Sequence, residues 1–190
     1  MSSSAPLIET SRLLLRGHRL ADFEMIAALW SDAEMVRFIG GVPSSREASW
    51  SRFLRYLGHW TALGFGYWVI FDKATDRFVG EIGLADYQRD MVPSMDGMAE
   101  MGWVLSPEFH GKGYAHEAAL AVLRWASQQL DRQLCCIIAP NNTPSLHLAT
   151  KLGFVAQCDT YYQGAEVRLF TRPVDGKQTA EQAGGEEKLC

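Results

Sequence analysis

A mixed α/β domain built round one sheet is the fold this sequence predicts, and three features predict it. Apolar residues first recur at helical spacing in two segments, 21–32 and 46–62. The period then shortens to runs of β-branched and aromatic residues set between turn residues. Finally, a long amphipathic segment at 114–130 is followed by an apolar run of strand length. The chain has 190 residues, 47% hydrophobic and 21% charged, which suits one domain with a substantial core and excludes disorder for most of it.

In chain order, residues 12–16 (RLLLR) read as a short strand. In the helix at 21–32, Phe23, Ile26, Ala27 and Trp30 share one face. Ser44 and Ser45 are cap signals for the next helix, where Trp50, Phe53, Leu54, Leu57 and Trp60 stand at helical spacing. Gly64-Phe65-Gly66 ends that helix, and three consecutive strands follow at 67–71, 78–84 and 99–105, with a hairpin loop at 72–77. The helix at 114–130 carries Ala118, Ala119, Val122, Leu123, Ala126 and Leu130 on one stripe. The run 134–139 fits a strand buried on both faces, and Asn141-Asn142-Thr143-Pro144 opens a short helix that Gly153 closes. Segments 154–158 and 167–171 then complete the sheet as an antiparallel pair. Residues 1–6 are expected to be a flexible lead, 7–172 the domain, and 173–190, rich in Gly, Gln, Ala and acids without aromatics, a disordered tail.

A net charge of −4, from 18 basic and 22 acidic residues, argues against broad binding to a nucleic-acid backbone and leaves room for one small phosphorylated ligand. No run approaches a membrane span and the first residues lack a signal-peptide pattern, so the cytoplasm is the expected compartment. Cys135 and Cys136 are adjacent, Cys158 stands alone and Cys190 is last; reduced structural thiols are expected. The five histidines are scattered, with no HExxH and no Cys/His cluster, so no metal is expected.

The most informative segment runs from Met101 to Ala118: an apolar strand, a short turn, two glycines around a lysine, then the long helix. Such a unit aims unpaired backbone N–H groups and the positive end of a helix dipole at one point, an anion site. Gly111 and Gly113 allow close backbone approach and Lys112 offers a mobile charge. The GxGxxG fingerprint fails at His116 and the GxxxxGK[ST] loop fails at Gly113, so any phosphate cradle is of another kind. A plain tight turn is the alternative.

With its downstream segment, the chain resembles the GCN5-related N-acetyltransferase (GNAT) family, and most closely its branch of ribosomal-protein N-terminal (RimJ/RimL-like) acetyltransferases and their relatives. The resemblance rests on residues 9–16 (ETSRLLLR), 79–84 (VGEIGL), 99–115 (AEMGWVLSPEFHGKGYA) and Asn142-Thr143-Pro144-Ser145 leading to Lys151-Leu152-Gly153-Phe154. It implies a single mixed, mostly antiparallel sheet that splays in the middle, between the strands at 99–105 and 134–139, with helices on both faces. The pantetheine arm of acetyl-CoA would lie in that gap on main-chain groups of Trp103, Val104 and Leu105. The pyrophosphate would sit on backbone N–H groups of His110, Gly111, Lys112, Gly113, Tyr114 and Ala115. Glu108 departs from the family's usual Gln or Arg at that position.

Acetyl transfer needs a route for the ammonium proton, a stabilised oxyanion and a donor for the departing thiolate. The resemblance makes Glu100 the preferred base or ammonium-orienting carboxylate, with Glu81 second; an ordinary strand glutamate is the alternative for Glu100. A backbone N–H near Val104 or Leu105 is the oxyanion donor it implies. Where many relatives have a tyrosine acid this chain has Ala149, so Ser145 becomes the candidate partner of the sulfur and Asn142 the holder of the pantetheine amide or a water. Helix capping is the other reading of both residues. The implied partners are acetyl-CoA and an amine acceptor, a protein N-terminus or a small molecule, in a monomer or homodimer. The loop 86–98, with Met91, Met95 and Met98 beside Asp86, Asp90 and Asp96, is either an adaptable surface for a cationic acceptor or a tolerated loop. A non-catalytic CoA-binding member of the same fold is the competing function.

Overall fold

The computed structural model describes residues 4–172; the expected tail at 173–190 and the first three residues of the lead lie outside them. The strands are β1 (Ile8–Glu9), β2 (Leu13–Arg16), β3 (Tyr67–Asp72), β4 (Phe78–Ala85), β5 (Ala99–Leu105), β6 (Leu134–Ile138), β7 (Val155–Tyr162) and β8 (Ala165–Arg172). The helices are α1 (Phe23–Ser31), α2 (Ala33–Val36), α3 (Arg46–Leu63), α4 (Tyr114–Gln129) and α5 (Thr143–Lys151). The strands hydrogen-bond in the order β1-β2-β3-β4-β5-β6-β8-β7 as one mixed, mostly antiparallel sheet, the fold class expected.

The described residues divide into two compact units, 4–85 with 102–122 and 86–101 with 123–172, so β5 and α4 each contribute to both. In the first unit β2, β3 and β4 are antiparallel neighbours, Leu14 facing Phe71 and Trp68 facing Ile82. Every residue of β3 is buried, and from Tyr67 to Phe71 its run is apolar rather than alternating, with the charged Asp72 at its end. Phe23, Ile26, Leu29 and Trp30 of α1 pack with Met35, Val36, Phe53, Val69, Phe71 and Val104 into one cluster. Gly80 lies so close to β5 that a Cβ there would fall 2.1 Å from the Val104 carbonyl oxygen, which is why β4 carries no side chain at that point. The Trp68 indole donates to the Pro6 carbonyl at 2.8 Å, tying that residue to β3.

In the second unit β6 pairs antiparallel with β8, and β8 with β7. The parallel pairing of β5 with β6 is confined to Ala99↔Leu134 and Glu100↔Cys135. Leu134, Cys135, Cys136 and Ile138 of β6 are buried, as a strand covered on both faces requires. Cys135 and Cys136 are free, and burial pushes the Cys135 thiol up to about 12, leaving it inert. Cys158 is disulfide-bonded, which corrects the expectation of a reduced thiol there.

Capping explains where the helices begin and end. The Ser45 hydroxyl accepts from the Ala48 N–H at 3.1 Å, and Gly64, left-handed at φ 73°, closes α3. Asp72 closes the hairpin at 72–77 by accepting from the Ala74 N–H and from the Thr75 N–H and hydroxyl. The Asn142 side chain caps α5, and Gly153, at φ 81°, follows its end.

Candidate functional site

After β5 ends at Leu105, a single 3-10 turn at Pro107–Phe109 leads into Gly111 and Gly113, whose φ values are 70° and 80°. Residues with a Cβ are strained there. The need is conformational rather than steric, since a Cβ on Gly111 would meet nothing within 4 Å. Helical bonding in α4 begins with the Glu117 N–H donating to the Gly113 carbonyl at 3.1 Å, so the N–H groups of Tyr114, Ala115 and His116 have no partner within the helix. Together with the dipole they form a site for an anion. Lys112 is exposed beside them.

His110 is committed to the turn itself. Its N–H donates to the Pro107 carbonyl at 3.0 Å and its ring Nε2 to the Leu105 carbonyl at 2.8 Å. Among the expected main-chain groups, the His110 amide and the Leu105 carbonyl therefore already have partners inside the chain. Glu108 accepts from the Arg77 guanidinium. Trp103 is half-buried, whereas the Val104 side chain belongs to the apolar cluster.

A contact network that sequence reasoning missed holds the turn from below. Glu117 accepts from the Thr10 hydroxyl (2.6 Å), the Ser11 hydroxyl (2.9 Å), the Arg12 N–H (2.9 Å) and Arg12 Nε (2.7 Å). Burial alone would raise its carboxyl, but these donors outweigh it and hold the pKa down at about 2. Arg12 also donates from Nη1 to the Lys112 carbonyl at 3.0 Å and lies 4.3 Å over the Tyr114 ring. Tyr114 donates to Asp72 at 2.7 Å, which raises the phenol and lowers the carboxyl.

The two candidate carboxylates have different surroundings. Glu100, in the second unit, receives Arg89 through both oxygens at 2.6 and 2.8 Å, and Arg89 itself packs between the rings of Tyr87 and Tyr162, each 4.5 Å away. Burial disfavours the Arg89 charge, but Glu100 overcomes this and raises its pKa. Glu81, in the first unit, is fully buried; it lies 2.7 Å from His18 Nε2 and accepts from the Trp30 indole at 2.7 Å. His18 Nδ1 is buried with no hydrogen-bond partner among the described residues. His18 and Trp30 carry no motif that would have marked them, because contact with Glu81 comes from residues 63 and 51 positions away.

Asn142 and Ser145, in the second unit, meet as cap and first turn: Asn142 Oδ1 accepts the Ser145 N–H at 3.2 Å. Both are half-buried, and Ala149 is fully buried on the same helix. Among the described residues no group of three or more His, Cys, Asp or Glu could hold a metal, and no helix is long and apolar enough to cross a membrane.

A mixed sheet whose strand leads through a glycine turn into an amide-presenting helix start offers a place for an anionic group. The sequence model of the acetyltransferase (GNAT) domain matches residues 12–155, and the chain belongs to that family. It is similar to an uncharacterized N-acetyltransferase, p20, of Bacillus licheniformis, at 27% identity over 147 residues, covering 76% of this chain and 80% of that protein. Among solved structures, a GnaT-family acetyltransferase from Bordetella pertussis superposes with a TM-score of 0.78 at 28% identity, covering 88% of this chain and 99% of that one. The ribosomal L7/L12 α-N-protein acetyltransferase RimL, solved in complex with coenzyme A, shares the fold at a TM-score of 0.73 and 16% identity, covering 90% and 100%.

Proposed function

We propose that the protein transfers the acetyl group of acetyl-CoA to a primary amine, on a protein N-terminus or a small molecule, by direct attack in a ternary complex. The observation that carries this reading is the turn Gly111–Gly113, whose left-handed glycines bring the chain to a helix start with unpaired amides. Its fit to a diphosphate lies in the N–H groups of Gly111 to Ala115, with Lys112 as a mobile cation. Main-chain groups of Trp103, Val104 and Leu105 serve the pantetheine arm. The coenzyme A held by RimL, a relative in fold, supports the choice of ligand.

Acetyl-CoA supplies an acyl carbon already activated as a thioester; the chain's residues supply the rest. Glu100, gripped by Arg89 through both oxygens, orients the ammonium and takes its proton directly or through water. Ser145 hydrogen-bonds the departing sulfur in place of the tyrosine that Ala149 replaces, and Asn142 holds the α5 start in place while binding the pantetheine amide or a water. An α-amino group, with a pKa of about 8, gives up its proton more readily than an alkylamine near 10.4, so a peptide N-terminus is chemically the easier acceptor. A second route for the proton runs through Glu81, favoured by the buried His18 nitrogen that lacks a partner among the described residues.

The test is acceptor-dependent release of CoA thiol from acetyl-CoA, screened with Ser- and Ala-initiated peptides, polyamines and aminoglycosides. Release with one acceptor class supports the enzyme; binding of acetyl-CoA with no release from any acceptor supports the non-catalytic member. With the working acceptor, Glu100→Gln is expected to lower kcat about a hundredfold while leaving acetyl-CoA affinity within about twofold. If Glu81→Gln does so instead, the proton leaves through the His18 pair.

A further inference from the structure

We infer that Arg12 is a positioning residue for the diphosphate of the co-substrate, acting through the peptide between Lys112 and Gly113. The inference rests on the acetyl-CoA reading above. Arg12 Nη1 binds the Lys112 carbonyl at 3.0 Å. That peptide is trans, the cis peptide among the described residues being Val92–Pro93. In a trans peptide the C=O and the following N–H point in opposite directions. Clamping the Lys112 carbonyl to Arg12 therefore turns the Gly113 N–H away from Arg12, where no acceptor among the described residues takes it. A donor so placed at the start of α4 is what a bound phosphate oxygen requires.

The clamp is rigid at its other end. Glu117 receives Arg12 through both side-chain Nε and main-chain N–H, and Glu117 stands one turn into the helix that begins at the clamped peptide. The Tyr114 ring supports the guanidinium from one face at 4.3 Å, and Nη2 lies 3.5 Å from where a Gly113 Cβ would be. Because Glu117 balances its charge, Arg12 acts through geometry rather than as a loose phosphate cation. Two glycines around one residue give the turn high conformational freedom, and ordering it at the moment of binding would cost affinity. Arg12 removes that freedom in advance.

The test follows the Gly113 amide in 15N-labelled protein titrated with CoA. In the wild type its resonance is expected to move downfield at saturation as the N–H meets phosphate. In Arg12→Ala the dissociation constant is expected to rise about tenfold, and the Gly113 shift to fall by more than half even at saturating CoA. A role confined to fold stability would lower the melting temperature and leave that shift intact, so an unchanged Gly113 shift with unchanged affinity overturns the inference. Should Arg12→Ala fail to fold, Arg12→Lys replaces it: its ammonium cannot bridge Glu117 and the Lys112 carbonyl in the same fork, and the same loss of shift is expected, its retention being the overturning result. If the wild type binds no CoA at all, the co-substrate reading falls and takes this inference with it, an outcome distinct from normal binding by the variant.

Discussion

Glu117 shows how one carboxylate joins the chain's start to the head of α4. Its pKa is held down at about 2 from 4.5 because four donors from Thr10, Ser11 and Arg12 outweigh the cost of burial. A folded-state pKa below the unfolded one stabilises the fold fully above the unfolded value and loses that contribution as pH falls toward the folded value. Glu117→Gln is therefore expected to lower the melting temperature at pH 7. The gap to the wild type should narrow below pH 4.5 and close near pH 2. A gap that stays constant across that range would show that the carboxylate's charge plays no part. The glycines at 111 and 113 were legible in the sequence because positive φ is a local demand on one residue type. Arg12 and Glu117 were not, being ordinary polar residues whose meeting depends on a separation of 105 residues.

At the scale of elements, local signals sufficed wherever the chain carries its own stop and start. For α3, Ser45 and Gly64 mark the two ends, and Ser45→Ala is expected to cost about 1 kcal/mol of unfolding free energy, measured by denaturant titration. An unchanged midpoint would mean that water replaces the hydroxyl at no cost. Short elements escaped: β1 with two residues and α2 with four are too brief to show a period. In β7 the sequence signal stops near Cys158 while the strand continues to Tyr162, because its exposed residues show no apolar alternation and pairing with β8 sets its length. Glu100 illustrates the same gap at the site. Its place on β5 was readable, but the Arg89 fork that holds both its oxygens comes from an irregular loop with no pattern of its own.

For the whole molecule, ligand linkage gives the most direct check on the proposed co-substrate. Acetyl-CoA at about a hundred times its dissociation constant should add about 2.7 kcal/mol to the native state. For a chain of this size that raises the melting temperature by roughly 5–10 °C, with ADP as a control for a generic phosphate site. No shift at saturating acetyl-CoA would remove the turn at Gly111–Gly113 from the binding site. By itself the sequence determined the fold class, the limits of the long helices and most strands, and the glycine turn that opens α4, since each depends on periodicity, caps or backbone freedom within a short window. Only the tertiary structure decided which polar groups meet. The pairing of Glu81 with His18 and Trp30, of Glu100 with Arg89, and of Arg12 with Glu117 and the Lys112 carbonyl follows from sheet register and helix placement, which bring together residues that no local spacing connects.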